Sequence, residues 1–158
     1  NLAPDNFAPN CFDEIIIEMI LPNIAWKAGR AASSVRMTAA ASLVLILQMD
    51  NISQIIQPKL ETLENLLKNS LSCLDDDNKL TRLYTCRILL NLFTNYGQRY
   101  DKDQLHKCYP ELIKRLDDQG EDIRNEIIKV FDRYFICLDN NYCLDQVYLN
   151  LANKFHQV

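Results

Sequence analysis

The sequence predicts an all-α superhelix in which about three helix pairs stack side by side, followed by one terminal helix. Three observations carry that expectation. First, Arg36, Arg82 and Arg124 stand 46 and 42 residues apart in matching surroundings: Val35, Thr81 and Ile123 precede them, and Leu43, Leu89 and Phe131 follow seven positions later. Second, Leu74-Asp75-Asp76 and Leu116-Asp117-Asp118 begin eight residues ahead of the later two arginines, and Pro22 and Pro110 each stand fourteen ahead of theirs. Third, only 3 glycines and 5 prolines punctuate 158 residues that are 48% apolar, which leaves long helices and short connections.

In chain order, Asn1–Asn10 is rich in Pro, Asn and Asp and reads as a linker or cut end, with no signal- or transit-peptide order. A single domain is expected over 11–156, with repeats at about 11–49, 53–97 and 101–138 and a half repeat at 141–156. The first helix is predicted over Cys11–Lys27, because Phe12, Ile16, Ile20 and Ile24 recur every four residues and Ile17 and Leu21 widen the stripe. Pro22 is expected to kink it by removing one ladder bond and crowding the preceding turn. Gly29 breaks the chain, and a partner helix follows over Ala31–Met49 with Val35, Ala39, Leu43 and Leu47 on one face.

The second pair opens near Ser53, read as a helix cap, with Pro58 after a short lead-in. Leu60, Leu63, Leu67, Leu71 and Leu74 step by 3, 4, 4 and 3, the cleanest apolar stripe in the chain. Asp75–Lys79 is a turn whose carboxylates are expected to cap the next helix, Leu80–Tyr96, and Gly97 is expected to stop that helix in the left-handed conformation. Asp101-x-x-Gln104 suits a capping box for the third pair. Leu105, Tyr109, Leu112 and Leu116 make its first stripe, with Pro110 kinking as Pro22 does; Ile123, Ile127, Val130 and Tyr134 make its second. A last helix is predicted over Tyr142–Phe155. It lacks a partner, so the chain is expected to be a fragment of a longer right-handed array.

A period of about 40–47 residues with two helices per unit is the signature of HEAT repeats, where a pair of helices cannot cover its own apolar stripes and leans on its neighbours. In that family an aspartate in the turn of a unit and an arginine six residues on form a ladder between successive units. Asp76/Arg82 and Asp118/Arg124 have that separation, whereas Arg30 occupies the aspartate's place ahead of Arg36. The first unit therefore either uses another contact or turns Arg30 towards a partner. The likeness goes further in three segments: Ile20-Leu-Pro-Asn-Ile-Ala-Trp-Lys-Ala-Gly-Arg-Ala-Ala-Ser-Ser-Val-Arg36, Leu80-Thr-Arg-Leu-Tyr-Thr-Cys-Arg-Ile88 and Tyr109-Pro-Glu-Leu-Ile-Lys-Arg-Leu-Asp-Asp118. Over most of Phe12–Tyr134 the chain resembles the C-terminal repeats of the HEAT-repeat factors that assemble axonemal dynein arms. The resemblance implies a non-catalytic, cytoplasmic protein-binding scaffold of ciliated or flagellated cells, with axonemal dynein chains, other assembly factors and chaperones as partners. Rival readings are a generic HEAT adaptor for transport or phosphatase assembly and a HEAT-like DNA glycosylase.

Composition bears on the rivals. A net charge of −4 and a pI near 5.1 disfavour the basic groove that holds nucleic-acid phosphates. No run of about 18 apolar residues predicts a membrane span. Six cysteines (Cys11, Cys73, Cys86, Cys108, Cys137, Cys143) are an even number, but four lie within helical apolar patterns and no C-x-x-C pair occurs, so reduced thiols of a cytosolic protein are expected. The sequon Asn51-Ile52-Ser53 would then be unused.

No catalytic, cofactor or metal site is expected. His106-x-Cys108 is the one close His/Cys pair, and zinc needs about four converging ligands. Asp75-Asp76-Asp77-Asn78 has Leu80 and Cys86 where a calcium loop needs glycine and glutamate. Glu121, Asp122 and Glu126 read as a solvated helix start. Ser33 and Ser34 have no nearby histidine. Candidate partner-binding residues are Trp26, Lys27 and Arg30, because tryptophan and arginine dominate interface hot spots; a lone tryptophan filling a gap between helices is the plainer alternative. Arg36, Arg82 and Arg124 are assigned to the ladder with Asp76 and Asp118, which leaves Arg87 and Lys129 as freer cations.

Overall fold

The computed structural model describes residues 9–139, and these form helices and connections only. The terminal helix expected over Tyr142–Phe155, the half repeat, Cys143, His156 and most of the expected linker lie outside the described residues.

The first unit opens with α1 (Pro9–Glu14), which runs through a π-helical stretch (Ile15–Ile20) into α2 (Leu21–Ile24). Pro22 explains the wider ladder. It has no N–H to offer Glu18, and its ring crowds that carbonyl; just upstream, the Leu21 N–H reaches back five residues to Ile16. Phe12, Ile16, Ile20 and Ile24 are buried, but Ile17 is 42% exposed, so the stripe is narrower than expected. The helix also ends at Ile24 rather than Lys27.

Gly29 then turns the chain at φ +102° and ψ 156°, a region open essentially to glycine alone. Gly29→Ala is expected to lower stability by about 1–3 kcal/mol although space for a methyl exists, because the strain lies in the backbone. A chemical-denaturation midpoint equal to that of the parent chain would refute this.

The partner helix α3 (Arg30–Leu47) buries Arg36, Ala39, Ala40, Leu43, Val44 and Leu47. Val35, expected on that face, is 47% exposed. The buried row begins at Arg36 because its guanidinium has partners inside.

After a short α4 (Ile52–Ile55), the second unit comprises α5 (Leu60–Cys73) and α6 (Lys79–Tyr96). Ser53 is not a cap; it lies inside α4, and Asn51 precedes that helix at φ +56°, where asparagine is better tolerated than most residues. Along α5, Leu63, Leu66 and Leu67 are buried, with Leu74 just beyond its end, while Leu60 is 48% exposed because it opens the helix ahead of the covered face. The aspartates before α6 do not cap it either. Asn78 does, its Oδ1 accepting from the Leu80 and Thr81 N–H groups at 2.9 and 3.3 Å. Buried residues occur around much of α6, which has α3 on one side and α8 on the other.

Gly97 is right-handed, at φ −55° and ψ −36°, and begins a 3-10 turn (Gly97–Arg99) rather than a left-handed cap. Its missing side chain serves another purpose: a Cβ there would overlap Cys137 Sγ. The third unit is α7 (Lys102–Lys114), a 3-10 turn (Arg115–Asp117) and α8 (Glu121–Cys137). The Asp101–Gln104 capping box forms, with Gln104 N–H donating to Asp101 Oδ1 at 2.7 Å and Asp101 N–H to Gln104 Oε1 at 3.0 Å. Pro110 is accommodated differently from Pro22. Regular α-helix continues through it to Lys114, one missing donor being tolerated in a helix whose other face is anchored by Leu105, Cys108, Tyr109 and Leu112. In α8 the expected row Ile123, Ile127, Val130 and Tyr134 is fully buried.

Two successions of contacts order these helices. α3, α6 and α8 pack in sequence, and so do α2, α5 and α7, while each unit's own two helices also meet. One core runs the length of the described residues.

Candidate functional site

The connections within the three units lie along one edge, and a buried arginine and a partly buried one tie successive connections together. Arg36 donates from Nε to Asp76 Oδ2 at 2.6 Å, and from Nη1 to the Lys27 carbonyl at 2.6 Å. Both charged side chains are almost fully buried, at 4% and 2% exposure. Arg82 repeats the pattern one unit on. It grips Asp118 with two bonds, of 2.8 and 3.1 Å, and donates to the Asp76 carbonyl at 2.8 Å. Arg124 donates to the Asp118 carbonyl at 2.6 Å and has no ion pair among the described residues. Each arginine thus holds a carbonyl of its own unit's connection, and the first two also hold a carboxylate of the next. In the first unit, where Arg30 stands in the aspartate's place, Lys27 supplies the carbonyl.

Asp118 gathers the most bonds. Besides Arg82 it accepts from the Gly120 N–H at 2.9 Å and from Arg115 Nη1 at 3.2 Å. Burial pushes its carboxyl upward, but the Arg82 hydrogen bonds, the Gly120 amide and the charges of Arg82 and Arg115 outweigh that and hold it below the ordinary value of 3.8. Arg115 also reaches Asp75 Oδ1 at 2.6 Å, so it bridges two connections. The repeat overlay missed this residue because the matching position in the second unit is Cys73. It missed Asp13 as well, a 4% exposed carboxylate that accepts from the Lys59 N–H at 3.1 Å, where α5 begins. The favourable end of the α5 dipole rewards a carboxylate there.

The partner-binding candidates separate. Trp26 is 67% exposed, so it fills no gap between helices. Lys27 and Arg30 are exposed beside it in sequence, and Lys27 Nζ donates to the Pro22 carbonyl at 3.2 Å. The connection carrying them is fixed from beneath by the Arg36–Lys27 bond. Arg87 and Lys129, the freer cations of the sequence reading, both turn to Glu126, at 3.9 and 3.0 Å, and Arg87 lies over the Tyr84 ring. α6 and α8 pack side by side, which brings that glutamate within reach of Arg87, while Lys129 meets it three residues along α8.

Reactive chemistry is muted among the described residues. The five described cysteines are free, and burial pushes the thiols of Cys73, Cys86 and Cys108 up to about 11, 12 and 12, away from the nucleophilic thiolate. No three His, Cys, Asp or Glu side chains converge there on a metal-sized space. By length and a mean hydropathy of 1.3, α3 is long and apolar enough to cross a bilayer. It packs on α2 and α6 with Arg36 ion-paired inside, as a core helix does.

No family model matches the sequence, and no solved structure does. Three curated relatives do, all called dynein axonemal assembly factor 5. The frog protein (Xenopus laevis) is 35% identical over 130 residues, 82% of this chain; the mouse protein (Mus musculus) is 33% identical over 128, or 81%. The human protein is 35% identical over 116 residues, 73% of the chain. The chain spans only about 15% of the length of the first two and 13% of the third. Over roughly three quarters or more of its length, this chain is therefore similar to one segment of the dynein axonemal assembly factor 5 proteins.

Proposed function

We propose that this chain is a non-catalytic protein-binding scaffold, part of a cytoplasmic factor that preassembles axonemal dynein arms in ciliated or flagellated cells. The likeness to the three assembly factors, at 33–35% identity, carries the reading. In it the three units are HEAT repeats within a longer array, and Arg36–Asp76 and Arg82–Asp118 are the rungs that fix one repeat against the next. Arg124 faces the following repeat. The groove of about 620 Å³ between the π-helical stretch and α3, lined by Met19, Val35 and Ile46 among others, seats the preceding one. Partners are axonemal dynein chains, other assembly factors and chaperones; nucleic acid and membrane are not among them. Trp26, Lys27 and Arg30 form the docking surface.

Affinity capture from ciliated cells, with the parent protein carrying Trp26→Ala or the native residue, tests the reading. Dynein chains should be recovered with the native protein and reduced at least tenfold by the substitution, as for an interface hot spot. Equal recovery removes Trp26 from the interface, and importin cargo or phosphatase subunits in place of dynein would overturn the assembly role.

A further inference from the structure

We infer that the Trp26 connection is a preformed receptor for an acidic segment of a partner protein. This rests on the scaffold reading above and specifies the chemistry of the partner that docks there.

Charge comes first. From Met19 to Met49 the sequence has Lys27, Arg30 and Arg36 and not one acid, although the whole chain has 21 acids against 17 bases. Arg36 is buried and neutralised by Asp76, so the open positive charge of this stretch is that of Lys27 and Arg30. They follow, one and four residues on, an indole that is 67% exposed, the largest side chain among the exposed apolar residues. On the neighbouring connection, Asp75 is held by Arg115 and Asp76 by Arg36. Asp77 is exposed there, and Glu18 lines the groove from the π-helical stretch. Those two acids set the limits of the basic zone.

Preorganisation comes second. An exposed loop normally loses affinity to the entropy of being ordered. Here the Lys27 carbonyl is clamped at 2.6 Å by a guanidinium that is itself buried, the Ala25 N–H closes on the Leu21 carbonyl at 3.1 Å, and Gly29 makes the turn. The indole is therefore held out from a rigid base. Because the connections line an edge of the stack, neighbouring units added at either end leave that edge open. An exposed aromatic followed by two exposed cations, one and four residues on, fits an acidic segment that carries an apolar side chain: the side chain lies on the indole face, and the carboxylates meet Lys27 and Arg30.

Trp26 is the only tryptophan in the chain, so its fluorescence reads this one site. The probe is a tryptophan-free peptide of glutamates and leucines, with its glutamine counterpart as control. The glutamate peptide should shift Trp26 emission to the blue and saturate. Its affinity should fall as salt rises to about 0.15 M, where the Debye length is about 8 Å. Lys27→Glu with Arg30→Glu should weaken it at least tenfold. Both positions are exposed, and an unchanged far-ultraviolet dichroism spectrum would show that this variant folds. No emission shift, an equal response to the glutamine peptide, or an equal response from the charge-reversed variant overturns the inference. So does a stronger response to inorganic phosphate or to vesicles of anionic lipid. Should the peptide fail while dynein capture still depends on Trp26, the docking surface survives and only its acidic partner is lost.

Discussion

Arg36→Ala is expected to destabilise the protein by about 3–5 kcal/mol, because it leaves Asp76 buried with its charge uncompensated. The loss of the two bonds counts for less than the orphaned carboxylate, whose side chain is only 2% exposed. In a stacked protein this damage falls on the interface between units, so unfolding should change shape as well as midpoint. α2 and α3 would come away before α5 to α8, giving two transitions where the parent chain shows one. The midpoint of the first should fall by roughly 6–20 °C for a chain of this size. Arg36→Met combined with Asp76→Leu distinguishes charge from packing. Well-packed apolar replacements of a buried pair are often neutral or better, so the double variant should recover most of the loss. Thermal unfolding followed by calorimetry decides: a single variant within about 1 kcal/mol of the parent would show that the pair is not buried in solution as it is here.

Asp118→Ala is the second large effect, at about 2–4 kcal/mol. It strands Arg82 and Arg115 and frees the Gly120 N–H, but those arginines are 15% and 16% exposed, so water recovers part of what is lost. The same residue predicts a pH dependence. Its folded carboxyl is held below the ordinary 3.8, so its contribution is complete above about that pH and is lost as pH falls through the folded value. Urea midpoints taken from about pH 7 to about pH 3 should fall steeply at the acid end in the parent chain. In Asp118→Asn, which keeps the shape and removes the titration, the curve should start lower and fall less. Parallel curves for the two proteins would sink the proposed linkage.

How much of this could be read from the residues differs by element. The α8 row needed no tertiary information, since Ile123, Ile127, Val130 and Tyr134 repeat at helical spacing and all face the core. α7 and its capping box were equally legible, because Asp101 and Gln104 meet within one turn. α6 was harder: with α3 and α8 on two sides it has no single apolar stripe. The face of α3 was misjudged by one position, since a hydrophobic pattern ranks Val35 above Arg36 as an interior residue. Gly97 was misjudged for a related reason. Sequence proposes a backbone role for a glycine beyond a helix, and here Cys137, forty residues away, requires the missing side chain.

The docking candidates divide in the same way. Trp26, Lys27 and Arg30 were adjacent in sequence and could be singled out, but whether the indole lay inside or outside depended on where α2 ended, and it ends two residues earlier. Arg87 meets Glu126 only because α6 and α8 pack together, whereas Lys129 meets the same acid three residues away on its own helix, a pairing the spacing does show.

What the chain alone determined is therefore the local order: where helices run, which residues punctuate them, and that three arginines occupy corresponding places. Those facts are written in spacings of three and four residues and in a repeat of some forty. The folded structure alone decided which carboxylate each arginine grips, that Arg115 bridges two connections, that Asp13 meets the start of α5, and that the tryptophan stands in solvent. Such contacts join groups 36 to 46 residues apart across separate helices. Their geometry is set by how the helices pack, which no short-range period encodes.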